Sequence, residues 1–289
     1  MLLACRRLRI DLGGEPLLED FELEADGSSI ALVGDFYPLF AALRGDARVV
    51  TGTFELGGRP AREAVLAGRV GLAVSEPRPA AHWTVLDLLH KSGIVAGLAR
   101  EEAQARARAV LGRLGLQGLG LRRLSSLMPV EHTAVHLALA LLTEPDTLVL
   151  ELPFRSRTPS EIDWLWSLVG VAADQRRLVV SFDRALLESR QLIGNFDCMV
   201  LRHASGAPLV GAPADLLRPG GYLVSVTRRG ARLARALEEK GCRVRPESLD
   251  DDKPEQLLVS GDGLELAALV ARAAVEGEVP VIELIALPG

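Results

Sequence analysis

Between Gly34 and Gly45 the sequence "DFYPLFAALR" contains no glycine, lysine, serine or threonine. The flanks give that absence its meaning. "SSIALV" before it reads as a buried strand, and the stretch precedes a short apolar segment that reads as a helix. A strand, a tight turn and a helix in that order usually build a phosphate-binding loop. Such a loop needs glycines so that successive backbone amides can face an anion, a lysine for the outer phosphates and a hydroxyl for a metal. Here the frame is present and those residue types are missing. Cysteine is also scarce: Cys5, Cys198 and Cys242 lie far apart and are odd in number. That excludes a disulfide framework or a cysteine-rich zinc site and fits a reducing compartment. No uninterrupted apolar run nears the roughly 20 residues that a membrane span needs. The start, "MLLACRRLRIDL", has its charges after a very short apolar stretch, the reverse of a signal peptide. A broad basic field is lacking too, because the formal net charge is −5, so nucleic acid is not an expected partner.

What is there reads as one large α/β domain followed by a smaller one. Residues 2–10 and 20–24 suggest strands around the turn "DLGGEP", and "TGTFELGGRP" suggests a hairpin with Gly-Gly turn chemistry. "GRVGLAVSEP" is a further strand ending at Pro77. From Thr84 to Leu142 apolar residues recur three and four apart, the signature of helices. Within that stretch "AREEAQARARAVLGR" carries Glu and Arg at helical spacing, as a solvated helix face does. "DTLVLELP" is a continuous apolar strand, as in the centre of a parallel sheet. A helix near 160–173, the strand "RRLVVSF", the helix "RALLESRQLI" and the strand "DCMVLR" follow. After "RPGG" the pattern restarts as β-α-β-β-α-β, the ferredoxin-like order. The expected domains are therefore 1–219, with a helical subdomain over about 78–142, and 220–289.

Taken in order, these segments resemble the ATP-binding cassette subunits of ABC transporters, over residues 2 to about 215. "LLEDFELEADGSSIALVG" is similar to the family's approach to the Walker A loop, and "RVGLAVSEP" with "TVLDLL" to its Q-loop. "LALALLTEPDTLVLELP" is similar to the signature helix running into Walker B, and "LVVSFD" to the H-loop strand. The small C-terminal domain resembles the appendage on cassettes that serve ABC-2-type exporters. The resemblance implies a P-loop-type parallel sheet with an antiparallel edge subdomain and a helical insertion.

It also implies ATP and Mg in the family, yet each chemical position departs from the family pattern. Aligned at Gly34, the loop Gly34-Asp35-Phe36-Tyr37-Pro38-Leu39-Phe40-Ala41 puts Phe40 at the lysine slot and Ala41 at the hydroxyl slot. Aligned at Gly45, Phe36 takes the lysine slot. Pro38 removes a backbone donor, and Asp35 brings negative charge toward the phosphates. Ser75 replaces the Q-loop glutamine. The signature falls on Leu127-Met128-Pro129-Val130-Glu131 without a gap, or on "LSSLM" with Ser125 kept if an insertion is allowed. At Walker B, Glu151 stands at the metal-bridging position and Leu152 at that of the general base, which a leucine cannot replace. Phe182 stands for the switch histidine, with Asp183 retained after it, and the adenine-stacking aromatic falls near Leu12.

The resulting expectation is a catalytically inactive, pseudo-ATPase subunit of an ABC-2-type transport complex, with no catalytic residue, no cofactor and no metal of its own. Apolar replacements at Leu152, Phe182 and Phe40 imply a filled cleft. The expected partners are a multi-span ABC-2-type membrane subunit, docked at Ser75, Glu76, Pro77 and Thr84, and a second cassette, either competent or another copy. The expected place is the cytoplasmic side of a membrane, held there by the membrane partner. The alternatives are a free-standing cassette-fold scaffold and a working ATPase with unorthodox residues. Simpler readings cover the rest. His132 and His136 lie on an ordinary helix face, since "EHTAVH" is not HExxH. Trp164 and Trp166 divide between core and surface, and "ESLDDDKPEQ" is a solvated loop.

Overall fold

The computed structural model describes residues 1–74, 82–183, 190–202, 207–217, 221–248, 255–261 and 266–286. By contacts the chain falls into two compact units, Met1–Leu32 with Phe36–Asp183, and Val33–Asp35 with Arg184–Gly289. The expected break after residue 219, the docking residues Ser75, Glu76 and Pro77, and most of "ESLDDDKPEQ" lie outside the described residues.

In the first unit, β1 (Leu3–Leu12) and β2 (Glu15–Ala25) form an antiparallel pair. Both are longer than the sequence pattern suggests, because the turn needs only Gly13 and Gly14, at φ 62° and 96°. β4 (Arg48–Leu56) joins the free side of β1 and turns through Gly57-Gly58 into β5 (Arg59–Pro60). The resulting sheet has the order β2-β1-β4-β5. Arg7, at φ 44°, marks a bulge in β1. Gly52 lies against it, where a Cβ would stand 2.2 Å from the Arg7 carbonyl, so only glycine fits.

The second sheet is built from largely apolar runs, as a sheet covered on both faces requires. β3 (Ser29–Gly34), β6 (Val70–Ala73), β7 (Thr147–Leu150) and β8 (Arg177–Phe182) supply it, with β6-β7 and β7-β8 parallel. α1 (Tyr37–Arg44) follows β3, and α2 (Ala61–Leu66) precedes β6. The helical stretch resolves into α3 (Val85–Val95), α4 (Arg100–Arg113) and α5 (Pro129–Ala140), joined by two short 3-10 turns. Thr84 begins α3 with a capping box: its Oγ1 accepts from the Asp87 amide at 3.1 Å, and Asp87 accepts from the Thr84 amide at 3.0 Å. α4 buries only Ala103, Ala107 and Leu111, four residues apart, and ties Glu102 to Arg106 at 2.9 Å on its wet face. α6 (Pro159–Ala173) is capped by Thr158 and Glu161 in the same way as α3. Trp166 on it packs edge-on to Phe154 at 5.9 Å, while Trp164 stays exposed.

The second unit holds α7 (Arg190–Ile193), β9 (Cys198–Arg202), β10 (Leu209–Gly211) and α8 (Pro213–Leu216). β9 and β10 pair antiparallel, and the tip of β3, Val33–Asp35, belongs to this unit. There Gly34, at φ 114°, comes so close to Arg202 that a Cβ would lie 2.1 Å from its carbonyl. The Arg202 guanidinium donates to the Asp35 carbonyl, and its burial pushes its pKa down.

Four further strands complete this unit: β11 (Gly221–Val226), β12 (Arg243–Ser248), β13 (Glu255–Ser260) and β14 (Val281–Ala286). They form an antiparallel sheet ordered β12-β13-β11-β14. α9 (Gly230–Glu239) and α10 (Leu266–Glu276) occupy the two crossovers. Leu233 and Leu237 of α9 and Val270 and Ala273 of α10 meet Val224, Val226, Leu257 and Val259 in its core.

Candidate functional site

In parallel α/β sheets, ligands sit beyond the carboxyl ends of the strands. At that end of the first unit, α1 starts at Tyr37 without a side-chain cap and without an acidic residue in its first turn. Pro38 has no amide to offer, and the next two amides, of Leu39 and Phe40, both donate to the Phe36 carbonyl, at 3.0 and 3.3 Å. Phe36 and Phe40 are 2% exposed, so both phenyl rings are buried in protein. Neither alignment of the loop therefore leaves a polar group at the lysine slot.

Glu151, directly after β7, is buried and bonded to Arg44 of α1, with Nη1 2.6 Å from Oε1. Arg44 also donates from Nε to Asp46 at 2.6 Å and lies over the Tyr37 ring at 5.5 Å. Burial alone would lower the Arg44 pKa. Its bonds to Glu151 and Asp46 outweigh burial and raise it. The carboxylate that the sequence reading places at Walker B is thus held by a cation of its own chain.

Leu152 has a left-handed backbone, φ 45°, which is rare for a leucine, and its amide donates to Ser181 Oγ at 2.8 Å. The sequence suggests a buried leucine here; the structure leaves it half-buried, because that backbone turns the chain out of the strand. Phe182, at the end of β8, is fully buried and stacks on Phe154, with centroids 5.7 Å apart and planes at 19°. Two aromatic rings therefore close the carboxyl end of β7 and β8.

The signature positions straddle the start of α5. Met128 precedes the helix and is 56% exposed, Pro129 begins it, and Leu127 and Val130 are buried. Glu131 accepts from the Met128 amide at 2.7 Å and pairs with Arg122. Burial alone would raise the Glu131 carboxyl, but the amide and the guanidinium hold it below its ordinary range. The helix N-terminus is thus satisfied by its own carboxylate. Ser125, kept by the gapped alignment, lies in the 3-10 turn Leu124–Ser126. Two turns into α5, His136 is 3% exposed, and its Nε2 has no hydrogen-bond partner among the described residues. Burial, and then the charge of His132, lowers its pKa to about 4. No cluster of three or more metal-ligating side chains occurs among the described residues.

No family model matches this sequence, and no curated protein does. Solved structures do match. An ATP-binding subunit of an ABC transporter aligns with TM-score 0.60 and 17% identity over 75% of this chain and 92% of that one. cbiO1 of Clostridium perfringens, part of the ABC transporter complex cbiONQ, aligns with TM-score 0.60 and 16% identity, over 74% and 89%. An ATP-binding cassette in its ADP conformation aligns with TM-score 0.58 and 14% identity, over 73% and 91%. The fold is that of an ATP-binding cassette.

This cassette fold corrects one expectation from the sequence. Its solved relatives in shape are ATP-binding subunits, so ATP with Mg is the ligand pair the fold implies, and the expectation of no cofactor is withdrawn. The sequence argued from missing residue types, which describe this loop and not what the solved proteins of the same fold bind. What stands is narrower. The loop offers no lysine or hydroxyl, and Glu151 is engaged by Arg44, so these residues do not fit phosphate and metal as the family pattern does. No chemical step is assigned through them. Sequence reasoning missed the Arg44–Glu151 pair and the Phe154–Phe182 stack. The only local signal for either was the aromatic at 154, three residues after Glu151.

Proposed function

We propose that this chain is a cassette-fold subunit of an ABC-2-type transport complex in which its own Walker positions no longer support hydrolysis. Its role is structural or regulatory. It docks a multi-span membrane subunit through the Ser75–Pro77 segment and the start of α3 at Thr84, on the cytoplasmic side. It pairs with a competent cassette or with a second copy of itself. Residues 1–219 form the cassette part and 220–289 an appended domain.

The observation that carries this reading is the carboxyl end of β7 and β8. Leu152 cannot accept a proton, and the neighbouring Phe154–Phe182 stack leaves apolar surface where a general base and a switch histidine would work. In-line attack also needs the phosphates held in place, so one restored base is not enough. Leu152→Glu alone is therefore expected to give no ATP turnover above wild type, in the isolated chain or beside a competent cassette. Turnover that rises with this single change would overturn the reading. In a purified pair with a competent cassette, the partner's loop would face Met128, Pro129 and Val130 of this chain. Installing Ser-Gly-Gly there should raise the partner's rate. Bound nucleotide is counted in the same sample, and co-purification with a multi-span subunit separates a transporter component from a free-standing scaffold.

A further inference from the structure

The amino ends of the same parallel strands carry a second, differently built cavity. Val70, Thr147 and Arg177 stand in register at the starts of β6, β7 and β8. Together with the Gly57 turn and Arg59 of β5 they line a cavity of about 690 Å³ that also takes in Arg69, Asp146 and Arg176. That is within the usual size of a small-molecule site. Four guanidinium groups face one carboxylate there, in a chain whose net charge is −5.

The four arginines are not equivalent. Arg69 pairs with Asp146 at 3.2 Å. Arg176 is spent on backbone carbonyls: Nε donates to Pro145 at 3.0 Å, and Nη1 to Asp174 at 3.1 Å. Burial, and then the nearby Arg113, lowers the Arg176 pKa, although Glu144, Asp174 and Asp146 oppose this. Glu144 and Asp174 are themselves engaged by Arg106 at 3.5 Å and Arg113 at 3.9 Å. The guanidinium groups of Arg59 and Arg177 have no carboxylate or hydrogen-bond partner among the described residues, although the Arg177 backbone amide donates to the Asp146 carbonyl at 3.0 Å. The bare backbone of Gly57 admits Arg177, whose Nη1 would lie 3.3 Å from a Cβ placed there. Two unspent planar forks in the lining of one polar cavity match the oxygens of phosphate groups bidentately.

We infer that this cavity binds a small anion bearing two or more linked phosphates, with Arg59 and Arg177 as its principal contacts and Arg69 and Arg176 as the supporting positive field. A single phosphate would leave much of the cavity and of its charge unused. None of the residues lining this site belongs to the loop at Gly34, and the site does not depend on the proposed function.

The test is calorimetric titration of the whole protein with inorganic pyrophosphate, without Mg. One saturable site is expected, weakened about tenfold or more in Arg59→Ala/Arg177→Ala and unchanged in Arg7→Ala, an arginine of β1 that does not line the cavity. Inorganic triphosphate and ATP, run as further arms, tell whether free polyphosphate or a nucleotide is preferred. Either result supports a linked-phosphate site if the double variant removes it. Citrate binding as well as pyrophosphate would show charge matching alone and overturn the assignment. So would the absence of a saturable site, or a site that survives the double variant. If the double variant fails to fold, modification of the wild-type chain by phenylglyoxal decides. Pyrophosphate should shield Arg59 and Arg177 and leave Arg7 reactive, and equal modification with and without pyrophosphate would overturn the site.

Discussion

At the carboxyl ends of β7 and β8 the interior is aromatic and dry, with Phe154 and Phe182 stacked and Phe36 and Phe40 of the α1 turn also buried. At the amino ends of the same strands the surface is open and cationic, with Arg59, Arg69, Arg176 and Arg177 around one cavity. A cassette fold normally places anion chemistry at the first end, where strand ends, loop amides and helix N-termini converge. Here four phenyl rings, Phe36, Phe40, Phe154 and Phe182, are buried at that end. A buried polar group without a partner costs about 1–3 kcal/mol, and a buried phenyl ring avoids that cost while adding apolar contact. The difference teaches that a fold's customary binding position and the position of its unspent charge can separate. Backbone shape fixes the first, and side chains fix the second.

Removing an aromatic from the dry end should have the largest effect. Phe182→Ala deletes a fully buried ring and its stacking partner's contact. It is expected to cost about 3–5 kcal/mol, read as a shift of the denaturant midpoint at unchanged slope. A loss below about 1 kcal/mol would mean that the carboxyl end is not packed as core.

His136 sharpens the comparison by showing what a lone polar group meets in this interior. Its folded pKa, about 4, lies below the ordinary value of 6.5, so the unfolded chain binds the proton more readily. Stability should therefore fall as pH drops from about 6.5 towards 4, by roughly 3 kcal/mol in all, and this contribution should flatten below that. Above pH 6.5 it vanishes. Glu131, whose pKa is depressed, adds its own loss only nearer its ordinary carboxylate range. Chemical denaturation from pH 7 to 5 isolates the histidine, and His136→Leu should abolish the slope there.

The smallest effect is expected at the wet end. Arg59→Ala/Arg177→Ala removes exposed side chains without protein partners, so stability should stay within about 0.5 kcal/mol of wild type. A larger loss would show that these arginines hold the fold together.

Much of the architecture was legible along the chain. The apolar runs at 29–34, 147–150 and 177–182 read as buried strands, and apolar residues three and four apart from Thr84 to Leu142 read as helices. The candidate site was legible as a set of absences, and there the inference went too far. Missing residue types describe a loop, and the ligand class of the fold does not follow from them.

By itself the sequence determined the strand and helix order, the Gly-Gly turns, and the lack of lysine, serine and threonine between Gly34 and Gly45. Local steric preference and hydrophobic period act over a few residues, so a linear reading reaches them. Tertiary structure alone decided that Glu151 meets Arg44 across 107 residues and that Phe182 stacks on Phe154. It also decided that Arg59, Arg69 and Arg177, from three separate segments, line one cavity. Those meetings depend on strand order and register, which set which distant side chains share an end of the sheet and which no local pattern encodes.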